Sequence, residues 1–394
     1  MGQEWIWGAP QWPRLTVDID RVRQAEGGLF RDAARFNAQM VRLEPRDKDE
    51  VYLVGMVDEA MNTSAIEGEM LARRDVRSSL FVQLGLIPAM PQEKRAKGIV
   101  SALLDCRRNF FEPLSMADLL TWQEHTIGAM DVVPGWRDTK DGPMQIVSGR
   151  IDNPKVHYEA PPAERLKREL NAFVKWFNDT DPTVAGANNL PGTARAAIAH
   201  LWFEVLHPFR DGNGRIGRLI AEKALAQELK NQPLFSLSKA IEEDRRTYYE
   251  VLNRASRQQD MDVTDFAVWF ASTVHQAHKK SELMVRFVIE KAAFWDRFGK
   301  APVSVRQRSV INKVFDKGPD AFESGIAANH YQGLSKVSRA TATRDLASLV
   351  DMGLLVKLEG GGRSTRYALN LPMILQRHLR PDRKQARSTP ELER

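Results

Sequence analysis

The stretch "ARAAIAHLWFEVL", residues 194–206, is apolar on nearly every side when drawn as a helix. A helix with no polar face has nothing to offer solvent, so it must lie at the centre of other elements. The next segment of the chain is equally restrictive. Pro208 disfavours helix beyond His207, "RDGNG" supplies a turn, and "RIGRLIAEKAL" resumes the helical period. A buried helix, a glycine-rich turn and a second helix predict a mainly α chain built around this pair. From about residue 50 to 290 the same period dominates. In "RLKRELNAFVKWFND", Leu166, Leu170, Phe173, Val174 and Phe177 form one stripe. One strand-like segment interrupts it, "PMQIVSGRIDNPKVHYEAPP". There Gln145, Ile146, Val147 and Ser148 face Val156, His157 and Tyr158 across a Gly/Asn/Pro turn, which predicts a small β-hairpin.

A chain of 394 residues is long for one domain. The first 45 or so residues carry Trp5, Trp7 and Trp12 and then a polar periodic stretch. Residues 302–371 read as a separate small unit, and residues 380–394 lack apolar periodicity, as a disordered tail would. The single cysteine, Cys106, excludes a disulfide framework and a thiolate zinc site within one chain, and its helical context makes it a core residue. The N-terminus has no basic segment followed by an apolar run, and no stretch approaches the roughly 18 apolar residues of a membrane span. A reducing, cytoplasmic setting is expected, with no membrane partner. The net charge of +6 and pI near 9.3 suggest anionic partners. His275 and His278 in "HQAH" lack a third ligand and read as a solvated helix face rather than a metal site.

The turn itself carries the chemistry. Gly212, Asn213 and Gly214 tolerate positive φ and can aim backbone N–H groups at one point. That point lies at a helix N-terminus, where free N–H groups and the dipole favour an anion. Arg215 and Arg218 are three residues apart on one helix face, and their planar forks suit phosphate. Asp211 is a hard oxygen ligand of the kind Mg²⁺ uses beside phosphate oxygens. His207, at the turn's entrance, is suited to act as a general base near neutral pH. The set describes a nucleotide phosphate site with a proton acceptor beside it. It lacks the G-x-x-x-x-G-K-[ST] of a P-loop.

"HPFRDGNGRIGR" resembles the Fic motif, H-P-F-x-[DE]-G-N-G-R-x-x-R, at every fixed position. The resemblance extends over residues 4 to 371. "WIW" and "WP" near the start resemble the N-terminal domain of unknown function of one Fic branch, and "TSAIEGE" its inhibitory helix. "PMQIVSG…VHYEAPP" resembles its target-docking flap, and "GGGRSTRYAL" the end of its C-terminal winged helix. This implies an N-terminal helical domain over 1–110 with the inhibitory helix at about 57–70. A Fic catalytic domain over 111–290, a winged helix over 291–375 and a basic tail over 376–394 would follow.

The resemblance implies a protein adenylyltransferase that moves AMP from ATP to a Ser, Thr or Tyr hydroxyl of a target protein or of itself. His207 would be the base and Asp211 the Mg²⁺ ligand. Asn213 and the amides of Gly212 and Gly214 would fix the α- and β-phosphates, with Arg215 on the β- and Arg218 on the γ-phosphate. Tyr248, Tyr249 and Asn253 resemble the region lining the adenine pocket, and Phe209 would anchor the loop. Thr63, Glu67 and Gly68 match the inhibitory motif [ST]-x-x-x-E-[GN], in which the glutamate pairs with the second arginine, here Arg218. The same glutamate could position water and reverse the reaction. The hairpin's edge could pair with an extended target segment through main-chain hydrogen bonds. On the winged helix, Arg339, Arg344, Arg363 and Arg366 would suit DNA phosphates. Such modules also dock proteins or a second copy of the chain.

Overall fold

The computed structural model describes residues 5–41, 45–128, 132–150, 153–184, 190–315, 325–358 and 365–371. The described chain is mainly helical, with two small antiparallel β-hairpins. It divides into two units, residues 1–42 with 52–281, and residues 43–51 with 282–394. Of the sequence expectations, Arg363 and the tail from 376 onward lie outside the described residues, as does the tip of the first hairpin at 151–152.

The first unit is organised around α8 (Gly192–Leu206) and α9 (Asn213–Leu229), which pack along one another. Every residue of α8 is buried, as its all-round apolar pattern requires. Around this pair lie α1 (Ile19–Glu26), α5 (Lys94–Arg108), α6 (Met116–Ile127), α7 (Ala163–Asp179) and α10 (Leu237–Glu243). The predicted stripe of α7 is turned inward, with Leu166, Leu170, Phe173 and Phe177 buried. Between α5 and α9, Arg107 and Glu222 form a fully buried bidentate pair at 2.8 and 3.1 Å. Cys106 is buried, its thiol hydrogen bonded to the Leu219 carbonyl at 3.3 Å.

The first hairpin, β1 (Gln145–Arg150) and β2 (Asn153–Glu159), pairs Gln145 with Glu159 and Val147 with Val156, with a bulge between Ile146 and Val147. Its base is tied to the core. Tyr158 donates its hydroxyl hydrogen to the Val205 carbonyl at the end of α8. Trp7 Nε1 donates to the Glu159 carbonyl at 2.8 Å, and Trp5 meets the Tyr158 ring edge-on. The N-terminal tryptophans thus act as wedges beneath the hairpin.

Two histidines correct the sequence reading. His278, on α12 (Thr264–Phe298), is buried edge-on against Phe235, and His275 lies over Gly27, so neither is on a solvated face. The pattern could have shown this, since His278 follows Ala271 and Val274 along the helix's buried stripe.

The second unit contains α13 (Val305–Phe315), α14 (Ala328–Ser335), α15 (Arg339–Asp351) and a hairpin of β3 (Leu355–Lys357) and β4 (Tyr367–Leu369). Its separate core includes Val310, Tyr331, Leu346, Leu349 and Leu369.

Candidate active site

The loop between α8 and α9 is held open by hydrogen bonds rather than by apolar packing alone. His207 caps α8 in the left-handed conformation (φ 43°), which turns the chain sharply before Pro208. Arg137 braces that turn, donating to the carbonyls of His207 (2.8 Å), Leu206 (3.1 Å) and Pro161 (2.6 Å). Trp136 stacks on buried Phe209 at 4.6 Å, so Phe209 packs the loop down. The Asn213 side chain is used twice on one residue, accepting from the Phe209 N–H at 2.9 Å and donating to its carbonyl at 2.8 Å. Its amide thus closes the loop and leaves its second Nδ2–H outside these two bonds. Arg210 turns away to Asp141 at 2.7 Å.

Gly212 (φ 90°) caps α9 and leaves the first amides of that helix facing the loop. Arg218 and Arg215, both buried, extend from α9. Each is already engaged by the segment that ends α3 (Pro45–Ile66). Arg218 Nε donates to Thr63 Oγ1, and Nη2 donates to the Thr63 carbonyl and to Glu67 Oε1, each at 2.8 Å. Arg215 Nη1 donates to Glu69 Oε2 at 2.9 Å and Nη2 to Asp211 Oδ1 at 3.2 Å. Glu67 also fills space above the turn: a Cβ on Gly214 would stand 2.2 Å from Glu67 Oε1.

The backbone explains how two nearby acids reach two arginines. The Glu69 N–H bonds the Ser64 carbonyl at 2.9 Å and the Gly68 N–H bonds that of Ala65, also at 2.9 Å. This is the double bond of a Schellman helix end, with Gly68 (φ 81°) at the left-handed position. A Cβ there would touch nothing, so glycine is required for its φ alone. The reversal presents Glu67 and Glu69 to the same stretch of α9. Thr63, Glu67 and Gly68 therefore all fall at this junction, and Glu69 is a participant that the sequence reading missed.

The electrostatics suit a base beside an anion site. Burial pushes the His207 imidazole down to about 4, so it is neutral and able to accept a proton at pH 7. Burial alone would raise the Glu67 carboxyl, but Arg218, then Arg215 and His207, draw it below the ordinary carboxylate value. Glu204, one turn before His207, is nearly buried, and its Oε1 has no hydrogen-bond partner among the described residues. Burial, then the charge of Glu67, push its carboxyl up to about 8, so it carries a proton at pH 7. A folded value above the ordinary 4.5 means that its stabilising effect is complete below that pH and lost as pH rises toward 8. Glu204→Gln cannot ionise. Its stability advantage over wild type is expected to widen from about pH 4.5 to pH 8 and then level off, reaching a few kcal/mol. Urea midpoints across that range measure the gap.

The three residues expected around adenine have separate duties. Tyr248, on α11 (Arg245–Ala255), is buried with its hydroxyl 3.0 Å from His200 Nε2, which makes it a packing residue. Tyr249 is exposed and donates to the Ile66 carbonyl at 3.1 Å, at the end of α3. Asn253 Nδ2 donates to the His157 carbonyl at 2.9 Å, holding β2. On the hairpin, Ile146, Val147 and Val156 are exposed, Ser148 Oγ bonds His157 Nε2, and Gln145 Nε2 donates to Glu159. Among the described residues no group of three or more His, Cys, Asp or Glu side chains could hold a metal. Asp211, whose side chain is 44% exposed at the loop, fits instead a Mg²⁺ ion that keeps water and phosphate ligands around one carboxylate.

Comparison with known proteins agrees with this geometry. Residues 5–86 match a domain of unknown function, DUF4172, and residues 113–225 match the Fic/DOC family. The protein adenylyltransferase Fic of Nematostella vectensis is 35% identical over 102 residues, 26% of this chain and 22% of that protein. Protein adenylyltransferase fic-1 of Caenorhabditis briggsae is 28% identical over 249 residues, 54% of this chain and 48% of that protein. The chain thus spans about half or less of the curated relatives it matches. Two crystal structures share the fold, each with a TM-score of 0.51. A Fic family protein from Desulfovibrio desulfuricans covers 91% of this chain and 98% of its own at 19% identity. A Fic domain signaling protein from Bacteroides thetaiotaomicron covers 67% and 96% at 14% identity. The motif's loop, the buried helix pair that carries it and the family match agree, so residues 113–225 form a Fic/DOC family domain.

Proposed function

We propose that the chain is a protein adenylyltransferase restrained by its own Glu67, transferring AMP from ATP to a Ser, Thr or Tyr hydroxyl of a target protein. One observation carries the reading. A neutral His207 stands beside an anion site whose second arginine, Arg218, is taken up by Thr63 and Glu67. The names of the relatives, protein adenylyltransferases, favour the same class. In the reaction His207 takes the hydroxyl proton, the hydroxyl oxygen bonds the α-phosphorus, and the bond from that phosphorus to pyrophosphate breaks. Arg215 and Arg218 would bind the β- and γ-phosphates, and the amides of Gly212 and Gly214 the oxygens nearest the loop. Asp211 would hold the Mg²⁺ that accompanies ATP and supplies charge neutralisation for the leaving group. The exposed edge residues Ile146, Val147 and Val156 support pairing with an extended target segment. The test is incubation with Mg²⁺ and ATP labelled at the α- or the γ-phosphate. Label on protein from the α position alone supports AMP transfer, and label from the γ position alone would make the chain a kinase.

A second direction is favoured by the position of Glu67 against Gly214, within the anion site. A carboxylate there can orient water toward the phosphorus of an AMP-modified residue and so remove AMP.

The second unit supports a separate activity, binding of DNA through α15. In the sequence, Asp345 breaks the basic run. In the fold it turns inward, accepting two bonds from Arg306 at 2.8 and 3.0 Å and one from Tyr331 at 2.9 Å. Arg339, Thr343 and Arg344 are left on one exposed face without an acid between them. DNA affinity is expected to fall steeply with salt, and Arg339→Ala with Arg344→Ala to flatten the slope by about two counterions. An unchanged slope would exclude phosphate contact by this face.

A further inference from the structure

The site holds a second acid that has no part in AMP transfer as proposed. Glu69 is nearly buried (9% side-chain exposure) and bonds the other motif arginine, Arg215, at 2.9 Å. Its second oxygen lies 3.2 Å from Arg95 Nε, whose side chain is about half exposed. Arg215 is 2% exposed, so the pair is shielded from solvent on the arginine's side. The two carboxylates belong to one helix end: Gly68 sends Glu67 to Arg218 and Glu69 to Arg215.

We infer that Glu69 is a second, independent gate that withholds Arg215 from the β-phosphate, so the resting site selects a nucleoside monophosphate group over both di- and triphosphates. This rests on the assignment of Arg215 and Arg218 to the β- and γ-phosphates. Glu67 alone penalises only a ligand with a γ-phosphate. Glu69 penalises any ligand with a β-phosphate, ADP as well as ATP. A single α-phosphate needs neither arginine and meets only the loop amides. Arg95 makes the gate reversible, because Glu69 can leave Arg215 without becoming a buried charge with no partner. It remains half of an ion pair at the protein's edge, and the β-phosphate takes its place on the guanidinium.

The experiment is calorimetric titration of the full chain with AMP, ADP and ATP in Mg²⁺, for wild type, Glu69→Gln, Glu67→Gly and Arg95→Ala. Glu69→Gln is expected to tighten ADP and ATP by about tenfold, the effect of about 1.4 kcal/mol, and to leave AMP unchanged. Glu67→Gly should tighten ATP and leave ADP as it was. Arg95→Ala removes the acid's alternative partner from an exposed position and should weaken ADP by about threefold, roughly 0.6 kcal/mol. Equal or weaker ADP binding by Glu69→Gln, in a variant with the thermal midpoint of wild type, overturns the gate and leaves Glu69 as a brace for Arg215. If that variant's midpoint falls, Arg95→Ala decides alone, and unchanged ADP affinity there overturns it equally. Absence of binding by all three nucleotides to every variant would sink the phosphate site itself, a different failure.

Discussion

Glu67→Gly is expected to raise transfer of α-label from ATP to protein by roughly 10- to 100-fold, within the span that a coupling free energy of about 1–3 kcal/mol gives. The size of the gain depends on what the substitution leaves in place. Arg218 keeps both bonds to Thr63, one to the hydroxyl and one to the carbonyl, so its guanidinium stays aimed. What it loses is its bond to the Glu67 carboxylate, the group proposed to compete with phosphate. The space above Gly214 is vacated by the same change. Arg218 is buried, and the lost counter-charge leaves it under-compensated until an anion arrives. The variant should therefore unfold at a lower temperature than wild type without ligand and regain more than wild type on adding Mg²⁺ and ATP. A transfer rate equal to wild type would remove Glu67 as the restraint.

His207→Ala in the Glu67→Gly background should lower transfer by about 10² to 10⁴, the usual worth of a positioned base. Its imidazole is held near 4 by burial, so the neutral form is present through the physiological range. Transfer by Glu67→Gly should accordingly lose its base on the acid side only below the ordinary imidazole range. The backbone of this residue, not its ring, is what Arg137 holds, so the alanine should keep the loop's shape. Nucleotide binding is expected to survive, and its loss together with transfer would mean that the ring is structural.

The fold and the site were unequally legible in the sequence. Local signals carried well: α8's lack of a polar face, the stop at Pro208, the glycines of the turn and the Gly/Asn/Pro turn between the segments that became β1 and β2. Gly68 was read only as a position of the inhibitory motif, in a helix placed at about 57–70, whereas the helix ends at Ile66 and Gly68 turns the chain. What escaped depends on which distant segments meet. Arg137 lies 70 positions from the carbonyl of His207 that it braces, and nothing in its own neighbourhood announces that duty. The resemblance gave Asn213 a phosphate role, and only the fold reveals its second duty of tying the loop at Phe209. Glu69 falls outside the motif that marks Glu67, and only the reversal at Gly68 reveals its target. The aromatic residues of α11 divided along burial, which their adjacency in sequence cannot express: Tyr248 turns inward to His200 and Tyr249 outward to Ile66.

The helix end at Ser64–Glu69 also sets a clock. Holding it closed are three main-chain bonds and a few side-chain contacts at the last turn of a helix. A free helical turn relaxes within about a microsecond, whereas kinases, which also transfer a phosphoryl group from ATP, turn over at roughly 1–100 s⁻¹. Opening that keeps that pace would repeat thousands of times in each catalytic cycle. Restraint of this kind acts as a scaling factor on every turnover rather than as a waiting time before the first. Progress curves of the wild-type chain should start without a lag, and anything that steadies or loosens that one helical turn would tune the output smoothly, like a dimmer.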